Sequence, residues 1–583
     1  MKNVLKYLLL ALIAVSQLFA CGGSDDEKTP ADNFDVQFTV PGSVDVTEGG
    51  ECTFAVSGGG KSPLTTDTFI LESDAGISYV WPIVNTSSDS FTVRLADGCE
   101  TGYYKVFVKR DARKKSFGRI YINIVEDIDF KPDAGTTVYG IVSSAGVGVE
   151  NVVVSDGAEV TVTNEKGIYQ LKSAKKWGYV FISVPSGYEV PSVGVLPQFH
   201  RALKNSADVV ERADFKLEKV DGQDSYKIFM LGDMHLANRT GDLGQFAQFT
   251  SDLTDYMTRH KGEKMYALTL GDMTWDLYWY SNSYYFPQYL NTINSQIKNL
   301  QIFHTMGNHD NDFQTRSDYD AAVKYVDQIC PTYYSFNIGK VHYVVMDDID
   351  CSSYDGSTSR NYVASLSAEQ LDWLAKDLSY VAKTTPVVVA MHAQVFYPTT
   401  SGFKIDHDPV NTLRLFDILD GYTVRFVTGH THKLFNVTPD APIVDGHNFR
   451  EYNSGSVCAS WWWSGNLTPG IHIGTDGTPG GYGIWDVTGT DFQCLYKSTG
   501  WPEEYQFRSY DLNNVHFSMA DVPLMPSDIS ASVKNAYMQY VNAYPQNNDN
   551  EVLINIWNWN SDWTLSVVDE NRKKLPYTEV WAY

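Results

Sequence analysis

Strand-length apolar runs set the rhythm of this chain, and the spacing between them changes along its length. Over residues 34–130 the runs are short and alternate apolar with polar positions, as in Asp35-Val36-Gln37-Phe38-Thr39-Val40 and Phe91-Thr92-Val93-Arg94-Leu95. Turn clusters such as Ser57-Gly58-Gly59-Gly60 separate them. Period-two alternation broken by turns predicts an all-β sandwich. A second small β unit is expected over residues 135–218, opened by Thr137-Val138-Tyr139-Gly140-Ile141-Val142 and continued by Val152-Val153-Val154 and by the turn Thr163-Asn164-Glu165-Lys166-Gly167 before Ile168-Tyr169. Over residues 225–500 the texture differs, because strand-length runs alternate with helical patterns, the signature of layered α/β architecture. The runs are Lys227–Leu231, Tyr266–Leu270, Gln301–Thr305, His342–Met346, Pro386–Ala390 and Val424–Val427. Ser367-Ala368-Glu369-Gln370 reads as a capping box, followed by Leu371, Leu374, Leu378 and Val381 on one helical face. Over residues 505–583 short strands return, at 552–559 and 563–568. The chain stops at Tyr583 inside an apparent strand, so this last small β domain reads as incomplete.

Composition adds bounds to that pattern. At ~150 residues per domain, 583 residues suggest three or four domains. Hydrophobic residues make up 43% and charged ones 20%, a globular balance. Lys and Arg number 45 against 70 Asp and Glu, a net charge of -25, which repels nucleic acid and anionic membrane surfaces. The one basic run, Lys109-Arg110-Asp111-Ala112-Arg113-Lys114-Lys115, reads as an exposed hairpin. No nucleic acid partner is expected, and nothing in the sequence sets an oligomeric state.

The first residues read as an export signal. Lys2 and Lys6 precede the apolar stretch Tyr7 to Val15, which is too short to span a membrane. Leu18-Phe19-Ala20-Cys21 resembles the lipobox of bacterial lipoproteins, which implies a signal peptide over residues 1–20, lipid on Cys21 and a flexible tether over 21–33. The acidic run behind Cys21 resembles the surface-export signal of Bacteroidetes lipoproteins. The expectation is an outer-membrane lipoprotein, held by lipid alone and facing the periplasm or the exterior. Cys52, Cys99, Cys330, Cys351, Cys458 and Cys494 form no Cys-x-x-Cys pair, against zinc-ribbon chemistry. A Cys52–Cys99 disulfide and buried free thiols are both open readings.

Candidate chemistry sits at the carboxyl ends of five of the six runs: Gly232-Asp233-Met234-His235, Gly271-Asp272-Met273-Thr274-Trp275-Asp276, Gly307-Asn308-His309-Asp310, Met391-His392 and Gly429-His430-Thr431-His432. Ligands of open α/β sheets bind at the carboxyl ends of strands, so the fold alone gathers these clusters. Imidazole and carboxylate together suit zinc, iron or manganese, and without a thiolate among them a closed structural zinc site is not expected. Alternate residues on a straight strand share a face, so Asp233 and His235, like His430 and His432, approach one centre or bracket two.

In this order the motifs Asp-x-His, Gly-Asp, Gly-Asn-His-Asp, His and Gly-His-x-His resemble the calcineurin-like metallophosphoesterases. The resemblance covers residues 225–500 and implies a layered α/β sandwich core. The unit before it resembles the carboxypeptidase-regulatory β-sandwich often attached to bacterial members, the first unit is immunoglobulin-like, and the last resembles the family's small C-terminal β domain. The resemblance implies two divalent metal ions (Mn, Zn or Fe), the first held by Asp233, His235 and His432, the second by Asn308, His392 and His430, with Asp272 bridging. It implies that His309 faces the leaving group as general acid, oriented by a carboxylate. Asp276 is the candidate, one residue later than the common family spacing, and Asp310 is the other. Trp275 stands where purple acid phosphatases carry a tyrosine ligand, so an iron–tyrosinate site is not expected.

The expected activity is metal-dependent hydrolysis of a phosphate monoester or diester, small or glycan-linked. The alternative is a cell-surface glycan- or partner-binding protein on a degenerate phosphoesterase scaffold. His304, His342 and His407 read as structural. The aromatic stretch Trp275 to Tyr289 and the triplet Trp461-Trp462-Trp463 read either as packing or as a ring platform, and Asn238 and Arg239 as possible phosphate contacts.

Overall fold

The computed structural model describes residues 35–580 apart from 48, 58, 74–75, 126–129, 240, 461, 463–471, 516–529 and 533–545. The signal segment, the tether and Cys21 lie outside the described residues. Among the described residues no helix is long and apolar enough to cross a membrane.

The chain divides into two compact units, Met1–Asp129 and Phe130–Tyr583. The first holds two sheets. One runs in the order Ser43–Thr47, Arg113–Val125, Gly102–Arg110, Thr68–Ser73, Ser78–Trp81, and the other Glu51–Ala55, Ser90–Arg94, Ile83–Thr86. Alternate side chains point inward, and Phe54, Phe69, Trp81, Phe91 and Val106 fill the core. The run from Asp35 to Val40 makes only isolated bridges, Val36 to Lys61 and Phe38 to Val56, and no strand. The basic run is a hairpin closed by Arg110 opposite Arg113, with Asp111 in the left-handed region. Cys52 and Cys99 are buried free thiols, as are Cys330, Cys351 and Cys458.

In the second unit Val138–Ser144 is a hub strand, paired with Ile168–Leu171, Val147–Gly148, Glu211–Arg212 and Phe215–Lys216. Residues around it dock onto the α/β core: Trp373 Nε1 donates to Ser155 Oγ, Tyr333 OH to Gly157 O, and Val184 bridges Phe336. One continuous hydrophobic core runs from Val138 to Val487.

The α/β core is a sandwich of two sheets. One runs Gln301–Phe303, Lys264–Thr269, Ser225–Leu231, Gly481–Thr488, Asp491–Ser498, and the other Tyr334–Ile338, Val341–Val345, Val387–Ala390, Val424–Thr428, Phe449–Asn453, Phe435–Val437. Strands 225–231, 264–269 and 301–303 are parallel, as are 341–345, 387–390, 424–428 and 449–453. Both faces of these strands are covered, which is why they read as unbroken apolar runs. Between the sheets Tyr226 OH meets Tyr343 OH at 2.7 Å, and Phe303 stacks on Phe336 at 3.7 Å. Outside, Asp242–Arg259 covers the first sheet through Tyr256 against Phe229, and Pro409–Leu419 covers the second through Phe416 against Phe426.

Local differences from the sequence reading have physical reasons. Helix Ala368–Leu378 is capped by Ser367 Oγ, which accepts from Gln370 N, but the other half of the capping box is not made. The Gln370 amide instead pairs with both backbone groups of Asp347. The helix stops before Val381, whose N–H bonds Leu378 O in a turn. Near the C-terminus Val552–Ile556 pairs with Phe507–Asp511, whereas the run 563–568 forms no strand beyond a bridge from Val568 to Lys574.

Candidate metal centre

Five parallel strands end side by side, and the loops that follow stay hydrogen-bonded to one another. Asp233 N bonds Gly271 O, His235 N bonds Asp272 O, and Leu236 N bonds Met273 O. Thus the first two motif loops run as a pair beyond their strands. The backbone there is not extended. Asp233, His235, Asp272, His430 and His432 all have positive φ, between 47° and 65°. A non-glycine residue pays ~1–2 kcal/mol for that conformation, and five such residues in one pocket require neighbours that hold them there. The pleat argument for Asp233 and His235 therefore fails: left-handed turns, not strand alternation, aim both side chains. Close approach demands glycine at two positions. A Cβ on Gly307 would meet Asp272 Oδ1 at 2.4 Å, and one on Gly271 (φ 84°) would meet His392 Nδ1 at 2.4 Å.

The seven candidate ligands form two clusters. In the first, His235 Nε2 lies 2.9 Å from His432 Nε2, and Asp233 Oδ1 lies 3.3 Å from His432 Nε2 and 3.8 Å from His235 Nε2. In the second, His392 Nε2 lies 3.0 Å from Asn308 Oδ1 and 3.1 Å from His430 Nδ1. Asp272 Oδ2 stands between them, 3.5 Å from His235 Nε2 and 3.3 Å from His392 Nε2. Atoms ~2.1 Å from one cation stand ~3.0–3.4 Å apart at octahedral to tetrahedral angles, so the donor types and spacings fit one divalent ion per cluster. Asp233 and His235 share a cluster, while His430 and His432 bracket the two.

Supporting contacts fix the tautomers. His392 Nδ1 donates to Leu270 O and His432 Nδ1 to Ala459 O, which leaves each Nε2 for the pocket. Asp272 Oδ1 accepts from His309 N, and Asp233 from His430 N. Burial opposes charge on these rings, yet Asp272 and Asp233 lift His392 to about 10, and Asp233 holds His432 well above its usual value. Burial lowers His235 and His430 to about 4. A cation binding here competes with protons, so its affinity rises with pH.

His309 stands beside the first cluster, its ring 5.2 Å from that of His235. Its Nδ1 is 2.6 Å from Asp276 Oδ1, and burial raises that carboxyl against the pull of His309. Asp310 does other work: its carboxylate accepts from Met273 N, Thr274 N and Gly307 N, tying the second motif loop to the third. Burial, then the charge of Asp272, pushes Asp310 up to about 7. An Asp310→Ala chain leaves three buried N–H groups without that acceptor, at ~1–3 kcal/mol each. Thermal denaturation should show a fall of at least ~3 kcal/mol in stability; an unchanged midpoint would rule out this role.

Several residues escaped the sequence reading. Asp348 accepts from His392 N and Ala393 N and pairs with His407, so it sets the backbone that carries His392. Its signal was present: Asp347-Asp348 directly follow the run His342–Met346, the one run to which no motif was assigned. The motif clusters contain no thiol, but the fold brings buried Cys458 within 4.8 Å of His235 and His432. No sequence signal marked it. Ser456 Oγ donates to Asp233 O. His304 bonds Tyr289 OH and His342 bonds Asp377, both away from the ligand clusters. Trp275 is buried 5.3 Å from His235 and 5.5 Å from His309, and the Arg239 guanidinium lies over Trp275 and Tyr278. Asn238 is exposed. Trp279, Tyr284 and Tyr289 are core residues. Of the tryptophan triplet, Trp462 donates to Met234 O, while positions 461 and 463 lie outside the described residues.

The family model for calcineurin-like phosphoesterase matches residues 226–434. The models for the N terminal and the C terminal of calcineurin-like phosphoesterase match residues 136–220 and 451–583. No curated protein matches the chain. Among solved structures, a DUF4784 family protein from Bacteroides caccae aligns over 34% of this chain and 47% of its own, at 9% identity and a TM-score of 0.13. With family-specific domains matched before, across and after a pocket of seven convergent candidate ligand side chains, the chain belongs to the calcineurin-like phosphoesterases.

Proposed function

We propose that this chain hydrolyses a phosphate ester at the double cluster. One observation carries the reading: a single oxygen, Asp272 Oδ2, faces both His235 Nε2 and His392 Nε2, the arrangement a carboxylate shared by two cations requires. Divalent ions held there supply Lewis-acid polarisation of phosphoryl oxygens and a water nucleophile near neutral pH. The chain's own groups supply the rest. His309, anchored through Nδ1 by Asp276, turns Nε2 toward the pocket and protonates the departing oxygen. Arg239, Trp275 and Tyr278 form a wall beside His309, where the leaving group of the ester would rest. The net charge of -25 favours a small or glycan-linked ester over nucleic acid.

The test is an assay of the purified chain with a phosphate monoester and a phosphodiester in manganese or zinc, alongside elemental analysis. About two ions per chain with turnover supports the reading. A metal-free, inactive chain would support the scaffold alternative.

The same proposal includes export and lipid attachment at Cys21, supported by Leu18-Phe19-Ala20-Cys21 and the acidic residues behind it. Mass spectrometry of the N-terminal peptide should find diacylglycerol on Cys21, and Cys21→Ala should leave the membrane fraction. A Cys21→Ala chain that stays membrane-bound would overturn this part.

A further inference from the structure

A cavity of about 420 Å³ opens at the other end of the metal-site strands. Arg425 and Arg450 in its wall are each second in their strands, Val424–Thr428 and Phe449–Asn453. His430 and Ser456 follow the carboxyl ends of the same strands. Trp485 and Phe492, from the last two strands of the first core sheet, form a second wall, and Asn560 and Asp562 help close the cavity. The volume falls within the ~300–1,000 Å³ of small-molecule sites.

Charge in this cavity is unbalanced. Arg450 is paired with Asp562 at 2.5 Å. Arg425 has no carboxylate partner among the described residues. Its guanidinium lies 4.4 Å from the Phe492 ring centroid, and its buried Nε has no hydrogen-bond partner. Burial acts to loosen its hold on its proton. Glu451 also borders the cavity, but its carboxylate is engaged elsewhere, accepting from Val395 N, Phe396 N and Thr428 Oγ1. Trp485 Nε1 is a second buried donor without a partner. A half-buried cation whose buried Nε is unpaired, next to a second unpaired buried donor, is poorly placed unless something accepts from it. Guanidinium binds carboxylates in paired, parallel hydrogen bonds. Aromatic faces with the carboxamides of Gln493 and Asn560 suit a ring that carries hydroxyls.

We propose that this cavity is a binding site, separate from the metal centre, for a sugar acid: a hydroxylated ring with one carboxylate, the carboxylate on Arg425 and the ring against the Trp485 wall. The inference does not depend on the catalytic reading, since none of these residues belongs to the metal pocket.

Calorimetric titration of the metal-loaded full chain with sodium glucuronate, and with glucose as its neutral counterpart at matched ionic strength, tests it. Glucuronate should bind saturably and glucose at least ~10-fold more weakly, one tenfold step being the loss of about 1.4 kcal/mol. Arg425→Gln should weaken glucuronate by a similar factor and leave phosphoesterase turnover unchanged. Asp562→Asn, which frees Arg450, should tighten glucuronate several-fold. No saturable glucuronate binding, equal binding of the two sugars, or wild-type affinity in Arg425→Gln would overturn the proposal. Should Arg425→Gln fail to fold, Asp562→Asn decides alone: unchanged or weaker glucuronate binding would sink the idea.

Discussion

An Asp272→Asn chain is expected to turn over a phosphate ester at least ~10³-fold more slowly than the wild type, a barrier increase of about 4 kcal/mol, and to retain fewer than two metal ions. The reason is electrostatic. Among the described residues, Asp272 Oδ2 is the candidate ligand oxygen that lies within 3.5 Å of both histidine clusters, and Asp272 Oδ1 also accepts from His309 N at 2.7 Å. Two divalent cations ~3.5–4 Å apart repel by roughly 17 kcal/mol at an effective dielectric constant of ~20. A neutral amide keeps the shape of the bridge but removes the charge that offsets this repulsion. Elemental analysis of the purified variant, together with its kcat, checks the prediction. Two retained ions with wild-type turnover would remove Asp272 from the bridging role.

The second large effect concerns His309. His309→Ala is expected to lower kcat by ~10²–10⁴-fold for an ester with an alkyl or sugar leaving group. For a nitrophenyl ester the loss should be less than ~10-fold, because that leaving group departs without a proton. Metal content should not change, since the His309 ring is held at Nδ1 by Asp276 and its backbone N–H, which the substitution keeps, bonds Asp272. Asp276→Asn should shift activity in the same direction by less: its carbonyl can still accept from His309 Nδ1, but the charge that stabilises the imidazolium is gone. Equal losses for both leaving groups would argue that His309 stabilises the phosphoryl charge rather than donating a proton. Loss of metal in His309→Ala would mean that it is a ligand.

Which carboxylate orients His309 shows how far spacing along a chain can reach. Asp276 and Asp310 were equivalent by residue type, and the longer step from Asp272 to Asp276 counted against the first. The short helical turn Asp276–Tyr278 brings Asp276 back under the His309 ring, while Asp310 is taken up by backbone N–H groups. Asp348 and Cys458 show the opposite failure. Both stand beside the pocket, one through hydrogen bonds to the loop of His392 and one near His235 and His432, yet each is one acid or thiol among many in the sequence.

By itself the sequence determined the donor set and its order. Apolar runs of strand length marked the parallel strands, because both faces of such strands are buried, and a polar cluster at each carboxyl end marked where a ligand pocket must lie. Only the tertiary structure decided how those donors divide. Asp233 and His235 join one cluster while His430 and His432 part, because each sits on left-handed backbone imposed by neighbouring loops, and two-residue spacing carries no information about that handedness. The Arg425 cavity belongs wholly to the fold as well. Its walls come from strands between Arg425 and Cys494 and from a segment between Asn558 and Trp563, so an unpaired guanidinium facing aromatic rings exists only once the two sheets and that segment have packed together.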